Sequence, residues 1–332
     1  MSPLRGRIIL VPPLGLLYSA DMDRQTRQLL VITAALAVMF SAFAFAIEGF
    51  AARDNLANIA RRGAINGIIS AGMTLVILTG GIDLSVGSVL ALSGVCLALA
   101  MKAWGLAAGL CAGLGAGVLC GLFNGLFVVF GRVPPFITTL GMMGIAHGIA
   151  LRATGGRTVH GLPPTLTRVM DVEILGVQPV PGLLALAVLL GGQAFLSFTT
   201  WGRYLIAIGC NERASRLSGV PVERVKLGVY VAAGACAALA GVLQVAKLNS
   251  GSPLVGEGYE LSSIAAVILG GTSIMGGRGS IVGTLVGVLI IAVLASGLTQ
   301  LNVQSQNQNI IIGALIIATV LVDQLTRRGR EP

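Results

Sequence analysis

Charge-free stretches of about a membrane's width divide this chain. Residues 63–82 carry no charge over 20 positions and residues 84–101 none over 18, with a lone Asp83 between them. A helix needs about 20 apolar residues to cross a ~30 Å hydrocarbon layer, so each run is long enough, or nearly so. The same reading of the rest gives 28–47, 103–131, 133–151, 182–200, 227–246, 261–277, 279–298 and 310–322. Ten such stretches predict an all-α polytopic membrane protein with about ten transmembrane helices, the count ranging from nine to eleven. The eighth stretch contains glycine pairs and is expected to be broken or re-entrant. The last holds only 13 residues and is expected to recruit part of the polar stretch before it. The domain plan follows: a cytoplasmic segment over 1–27, one transmembrane domain over 28–323 with a cytoplasmic loop at 202–226, and a cytoplasmic tail over 324–332.

Composition agrees. The chain is 55% hydrophobic and 11% charged, against ~25% charged in soluble domains. Its 47 glycines among 332 residues suit closely packed membrane helices. Gly109, Gly113, Gly117, Gly121 and Gly125 recur every four residues, a ridge that fits a subunit interface or, preferably, packing within the chain. The five cysteines (Cys96, Cys111, Cys120, Cys210, Cys236) show no metal-ligand spacing and read as buried small hydrophobes. The net charge of +9 comes with no basic run interleaved with aromatics, so nucleic acid is not the expected partner. Topology explains the charge better. With the N-terminus inside, the inner segments hold fourteen of the 22 Lys and Arg and the outer segments eight, in the sense of the positive-inside rule. The outer eight are Arg53, Arg61, Arg62, Lys102, Arg152, Arg157, Arg168 and Lys247. Arg5 and Arg7 before a short apolar run ending in Pro12-Pro13 do not make a cleavable signal.

Asp83 is the sharpest chemical feature. An ionised carboxylate facing lipid costs at least ~2.5 kcal/mol, so it normally faces protein, water or a pathway. Gly80, Gly81 and Gly87 flank it and mark a backbone break, which is tolerated only where protein or a water-filled cavity covers it. Asp83 is expected to hold the break by accepting from N–H groups near Ser85 to Gly87. Thr74, Thr79, Ser85, Asn124, Thr138, Thr139 and Asn302 could line a polar, uncharged path, although Ser and Thr often bond their own helix instead. An echo links Val76-Ile77-Leu78-Thr79-Gly80-Gly81 to Val267-Ile268-Leu269-Gly270-Gly271-Thr272; both copies run in the same direction on this topology.

The loop at 202–226 carries the second feature. Asn211 is placed to cap a short helix, Glu212 to sit in its first turn, and Gly219 and Pro221 to end it. The alternatives are a solvated turn and a docking helix for a cytoplasmic motor domain. No GxxxxGK[ST] loop cradles a nucleotide, and His147 and His160 lack a partner at ligand spacing, so the chain is read as no enzyme, with no metal and no cofactor.

The run Gly-Gly-Ile-Asp-Leu-Ser-Val-Gly-Ser at 80–88 resembles the signature of permease subunits of ribose-type monosaccharide ABC importers. So do Arg132-Val133 through Phe136-Ile137-Thr138-Thr139-Leu140, Gly202-Arg203-Tyr204 with the 211–219 loop, and Gly258-Tyr259-Glu260-Leu261 through Gly283-Thr284. The resemblance covers roughly 58–323, and the chain departs from the pattern at Cys210, His147 and Ile312. It implies a permease in the bacterial inner membrane, paired with a second copy or paralogue. It also implies an ABC ATPase, a periplasmic sugar-binding protein and surrounding lipid as partners. Asn211, Glu212, Arg213, Arg216, Leu217, Gly219 and Pro221 would then touch the ATPase. Thr79, Gly80, Gly81, Asp83, Ser85, Gly87, Asn124, Thr138 and Thr139 would form the broken helix and pathway. Arg152 and Arg157 would meet the binding protein. The competing function is an ion-coupled secondary transporter using Asp83, but a relay usually needs two or more intramembrane ionisable groups.

Overall fold

The computed structural model describes residues 14–173 and 178–328. Among these residues the chain forms thirteen helices and one isolated antiparallel bridge, Val159 to Gly251. In chain order they are α1 (Leu14–Ala46), α2 (Arg53–Leu78), α3 (Val86–Trp104), α4 (Leu106–Val129), α5 (Pro135–Thr154), α6 (Thr165–Met170) and α7 (Val180–Phe198). There follow α8 (Thr200–Cys210), α9 (Glu212–Leu217), α10 (Val222–Leu248), α11 (Tyr259–Leu269), α12 (Ile281–Gln300) and α13 (Ser305–Arg328). Arg5, Arg7, Pro12, Pro13 and Arg330, used above for topology, lie outside the described residues.

The polytopic all-α architecture stands, but the count of about ten does not follow from it. Among the described residues seven helices are long and apolar enough to cross a membrane: α1 from Thr26, α3, α4, α5, α7, α10 and α12. The others depart for separate reasons. The charge-free stretch 261–277 is only half helix: α11 has 11 residues, about 16 Å at 1.5 Å per residue, half a hydrocarbon layer. Helix α2 starts ten residues before its apolar stretch, at Arg53, and is buried almost wholly from Gly63 to Leu78. Helix α13 does recruit polar residues from Ser305 onward. The boundaries drawn at 27/28 and 323/324 fall inside α1 and α13.

Several of the basic residues expected on the outer side lie at one end of the molecule. Arg61 donates to Gln178 (2.7 Å), Lys102 to the His160 carbonyl (3.2 Å) and Arg62 to Thr299 (3.4 Å). Thr167 bonds Asn249 (3.1 Å) beside the bridge from Val159 to Gly251. These contacts gather the disfavoured-side basic residues at one end of the molecule. At the opposite end sit the C-termini of α2 and α4, all of α8 and α9, and the loop after α11.

The glycine ridge of α4 is spent inside the chain. Gly109 and Gly113 lie on the α3 backbone: an added Cβ would fall 2.9 Å from the Leu97 and Ser93 carbonyls. Gly117, Gly121 and Gly125 lie on α10, where a Cβ on Gly121 would fall 2.3 Å from the Tyr230 carbonyl. Across that seam Gly234 faces Gly117 in the same way, at 2.2 Å from its carbonyl. Small residues thus bring three helices to backbone contact, where dispersion replaces the hydrophobic drive that lipid cannot supply. The cysteine reading is corrected in part. Cys120 is buried and Cys96 and Cys236 are half-buried, but Cys111 and Cys210 are exposed, because Cys111 lies off the ridge side of α4 and Cys210 ends α8.

Overpacking a tight core costs typically ~1–3 kcal/mol. Gly121→Val is therefore expected to lower the unfolding temperature in detergent markedly. Gly115→Val, with nothing within 4 Å of its Cβ position, is expected to leave it unchanged; equal melting of the two variants would remove the ridge from the packing.

Candidate functional site

Helix α2 ends in a tight cap. Thr79 N–H donates to Val76 O, Gly80 N–H to Ile77 O and Gly81 N–H to Val76 O, with Gly80 at φ 77°. That positive φ is why glycine stands there. Helix α11 ends identically: Gly271 (φ 89°) donates to Ile268 O and Thr272 to Val267 O. The sequence echo is therefore a shared helix stop. In both places the chain leaves a helix at the same end of the molecule and then starts another, α3 or α12.

Between α2 and α3 the chain runs without regular structure from Gly81 to Ser85. Asp83 is 2% exposed and its Oδ1 accepts from the Ser85 N–H (2.8 Å) and the Ser85 hydroxyl (2.6 Å). This is an Asx-type turn that seeds α3. The acceptor is met twice by Ser85 rather than by the run up to Gly87. Asn124 of α4 donates to the Ser85 hydroxyl (3.0 Å), and Thr139 of α5 donates to the Ile82 carbonyl (3.2 Å). Tyr230 of α10 closes the other side, its hydroxyl 2.6 Å from where a Gly81 Cβ would be. Gly81, Asp83, Ser85, Asn124 and Thr139 thus form one polar knot, while the Thr79 hydroxyl donates to the Val76 carbonyl of its own helix and Gly80 only turns the cap. Within it the side-chain oxygen of Asn124 and the hydroxyl of Tyr230 are buried without a protein partner, as is the hydroxyl of Thr138 nearby in sequence. Unpartnered buried polar atoms are uncommon, and they suit a region whose arrangement changes. Thr74 lies elsewhere: fully buried, it bonds the Ser70 carbonyl and Thr284 of α12. Asn302 is exposed beyond α12 at the far end.

Gly87 serves a second break. The segment after α10 folds back along α3, placing Gly251 against Gly94 and Ala98, then Gly256 against Gly87. A Cβ on Gly87 would fall 2.3 Å from the Gly256 carbonyl and 2.5 Å from the Glu260 carboxylate. Helix α11 begins at that depth, level with the start of α3. Two interrupted segments therefore meet backbone to backbone inside the molecule, each covered by protein as membrane burial demands. Neither Tyr230 nor Glu260 stands out in the sequence as part of this knot, because only the fold brings α10 and α11 to it.

The short helix in the 202–226 loop is present as α9. The Asn211 Oδ1 accepts from Ala214 N–H at 3.0 Å, Glu212 opens the first turn, and Gly219 (φ 82°) ends it before Pro221 leads into α10. Residues 202–210, read as plain loop, instead continue as α8, capped by the Thr199 hydroxyl on Gly202 N–H (3.0 Å). Lys226 donates to Glu212 Oε2 (2.8 Å), Arg216 donates to Glu212 Oε1 (3.2 Å), and Arg216 pairs also with Glu223. The Lys226 ammonium, then Arg216, hold the Glu212 carboxyl below its usual range. Glu223 and Lys226 were not legible as site residues, since their partners come from α9. Beside this network a groove of about 740 Å³ is lined by Val128, Phe130, Arg132, Glu212 and Arg216. Leu217 projects from α9 at 84% exposure. Arg152 and Arg157 are exposed around the end of α5, at the opposite end of the molecule. Among the described residues no cluster of His, Cys, Asp or Glu could hold a metal ion.

Residues 55–320 match the family described as branched-chain amino acid transport system / permease component. The chain belongs to that family. It is 45% identical over 273 residues to the ribose import permease RbsC of Bacillus subtilis (strain 168), covering 81% of this chain and 84% of the relative. To the ribose import permease RbsC of Escherichia coli (strain K12) it is 43% identical over 298 residues, 87% of this chain and 91% of the relative. To the xylose transport system permease XylH of Escherichia coli (strain K12) it is 32% identical over 364 aligned positions, 91% of this chain and 93% of the relative. No solved structure matches the chain. The protein is a multi-pass membrane permease component, and the ion-coupled alternative gains no support from its relatives.

Removing the charge at Asp83 tests the knot. Asp83→Asn keeps shape and some acceptor capacity and is expected to insert normally yet lose most transport. Asp83→Leu, which strands the Ser85 N–H and hydroxyl, is expected to be worse. Wild-type uptake by both variants in membrane vesicles would make Asp83 incidental.

Proposed function

We propose that this permease carries a ribose-like monosaccharide across the bacterial inner membrane, driven by a separate ABC ATPase and loaded by a periplasmic sugar-binding protein. The observation that carries the reading is that one chain pairs a hydrogen-bonding knot at a membrane break, uncharged apart from Asp83, with a prebuilt helix at the nearby end of the molecule. A sugar presents hydroxyls and no net charge, so Ser85, Asn124, Thr138 and Thr139 offer groups of the right kind. A conduit must also release its cargo, which favours few and weak contacts. Relatives named for ribose and xylose import support the substrate class.

In this reading α9 is the ATPase contact. Leu217 is its apolar knob, and Arg213 and the Glu212–Arg216–Lys226 network its polar surround; Asn211, Gly219 and Pro221 fix its position. A six-residue helix held by three ion pairs moves as a rigid piece, which is what transmission of nucleotide-driven closure requires. The N-terminal residues 1–27, the 202–226 segment and residues 324–332 then face the cytoplasm, and a second copy or paralogue completes the pathway. A single-cysteine scan from 211 to 221 is expected to yield adducts with the ATPase, strongest at position 217. Absence of any adduct along the scan would overturn the docking assignment.

Arg152 and Arg157 are assigned to the landing surface of the binding protein. Basic residues kept on the side disfavoured by the positive-inside rule fit acidic patches on a soluble partner. Steering of this kind weakens with salt as the Debye length shrinks from ~10 Å at 0.1 M to ~3 Å at 1 M. Reversing both to Glu is expected to weaken stimulation of the assembled complex by the binding protein while leaving basal ATP hydrolysis unchanged. Unaltered, salt-insensitive stimulation would take these arginines off the surface.

A further inference from the structure

We infer that movement of α9 reaches the two membrane breaks through a three-way backbone clasp centred on Gly209, and not only through the helices that flank α9. Three segments meet there backbone to backbone. They are the last turn of α8, the end of α2 just before the Asp83 knot, and the loop from α11 to α12. A Cβ on Gly209 would fall 1.9 Å from the Leu78 carbonyl and 2.3 Å from the Gly277 nitrogen. Gly276 reciprocates: its Cβ would fall 2.8 Å from the Gly80 nitrogen, 3.0 Å from the Leu78 carbonyl and 3.2 Å from the Gly209 Cα. Gly277 N–H donates to Leu78 O at 2.9 Å, and the Cys210 thiol lies 3.6 Å from the Gly277 carbonyl. Gly276 (φ 84°) and Gly277 (φ 72°) adopt backbone angles that other residues rarely hold.

Gly209 stands one residue before the Cys210–Asn211 junction that begins α9, so the clasp and the docking helix share a short rigid arm. From Leu78 the chain runs through the Gly80 cap directly into Ile82 and Asp83. From Gly277 it runs back through Gly271 to α11, whose other end lies near the contact of Gly256 with Gly87. Each break is thus joined to the clasp by a single element. A packed contact of this closeness cannot deform continuously; it either stays engaged or parts, which makes it a two-state element of the kind that transmits coupling. Gly209 is accordingly a positioning residue. It touches no substrate and acts by keeping α9, α2 and α11 in register.

This inference rests on the assignment of α9 to the ATPase, and its test separates the two. In the assembled complex with ATPase and binding protein, Gly209→Ala is expected to keep α9-to-ATPase crosslinks and basal ATP hydrolysis. Sugar moved per ATP hydrolysed should fall at least tenfold. Gly182→Ala, with nothing within 4 Å of its Cβ position, serves as the neutral control. Loss of the crosslinks in the unaltered protein would refute the docking reading alone. Normal coupling in Gly209→Ala would refute the clasp alone. Should Gly209→Ala not assemble, the unaltered complex decides, through maleimide labelling of the exposed Cys210. A several-fold difference in labelling rate between nucleotide-free and vanadate-trapped complexes supports an opening clasp, and identical rates overturn it.

Discussion

Every backbone polar group placed at membrane depth must find its partner within the protein, because hydrocarbon offers none. An unbroken helix meets that demand automatically; a broken one needs outside help at each interruption. The rest of this molecule follows from supplying that help twice. At the first break Asp83 and Ser85 satisfy the freed groups locally, and Thr139 reaches across from α5 to the Ile82 carbonyl. At the second, α3 itself covers the descending segment from Gly251 to Gly256. The position of α3 is set in turn by the glycine seam that presses it against α4 and by the fit of α10 against both.

Glycine has two distinct uses in this arrangement, and they should not be merged. In α4 and at Gly234 it contributes absence of volume, letting helices approach until backbones touch. At Gly80, Gly271, Gly276 and Gly277 it contributes backbone angles, letting the chain leave a helix or turn sharply. Gly87 and Gly209 belong to the first kind but sit at junctions between segments rather than along a helix face. That placement turns ordinary close packing into a mechanical connection.

The sequence carried the local parts of this structure well. Asn211, Glu212 and Gly219 describe α9 by themselves, because a cap, a first-turn acid and a left-handed stop are decided within a few residues. The echo at Val76 and Val267 likewise encodes a helix stop that forms the same bonds in both places. What failed was anything decided by length in three dimensions. A charge-free stretch at 261–277 looks like a span, yet α11 fills only its first half, since Gly258 and Gly270 bound it and the flanking backbone is covered by α3, α2 and α8 rather than by lipid. Charge alone also hid the first ten residues of α2: Arg53, Asp54, Arg61 and Arg62 interrupt the apolar pattern, but they belong to the same helix as the span read from Gly63. Tyr230, Glu260 and Lys226 were invisible as site residues because each is an ordinary helical side chain until the fold gives it a neighbour.

Family membership fixes the class of machine but leaves its internal linkage to be read from contacts. Asp83 and α9 are separated in sequence by more than a hundred residues, and neither touches the other. They are nonetheless one contact apart through Leu78, whose carbonyl accepts from Gly277 and lies in the path of any side chain at Gly209. A force applied to α9 therefore has a short covalent arm to Cys210, a backbone contact to Leu78, and a capped turn to Asp83. Each link is stiff: a helix end, a close-packed carbonyl, and a hydrogen-bonded cap. By contrast the knot itself retains buried polar atoms without partners at Asn124 and Tyr230, with Thr138 next in sequence to Thr139. Stiffness up to the break and incomplete satisfaction within it place the compliant element at the break, and on the proposed pathway that is where a transporter needs its two states to differ.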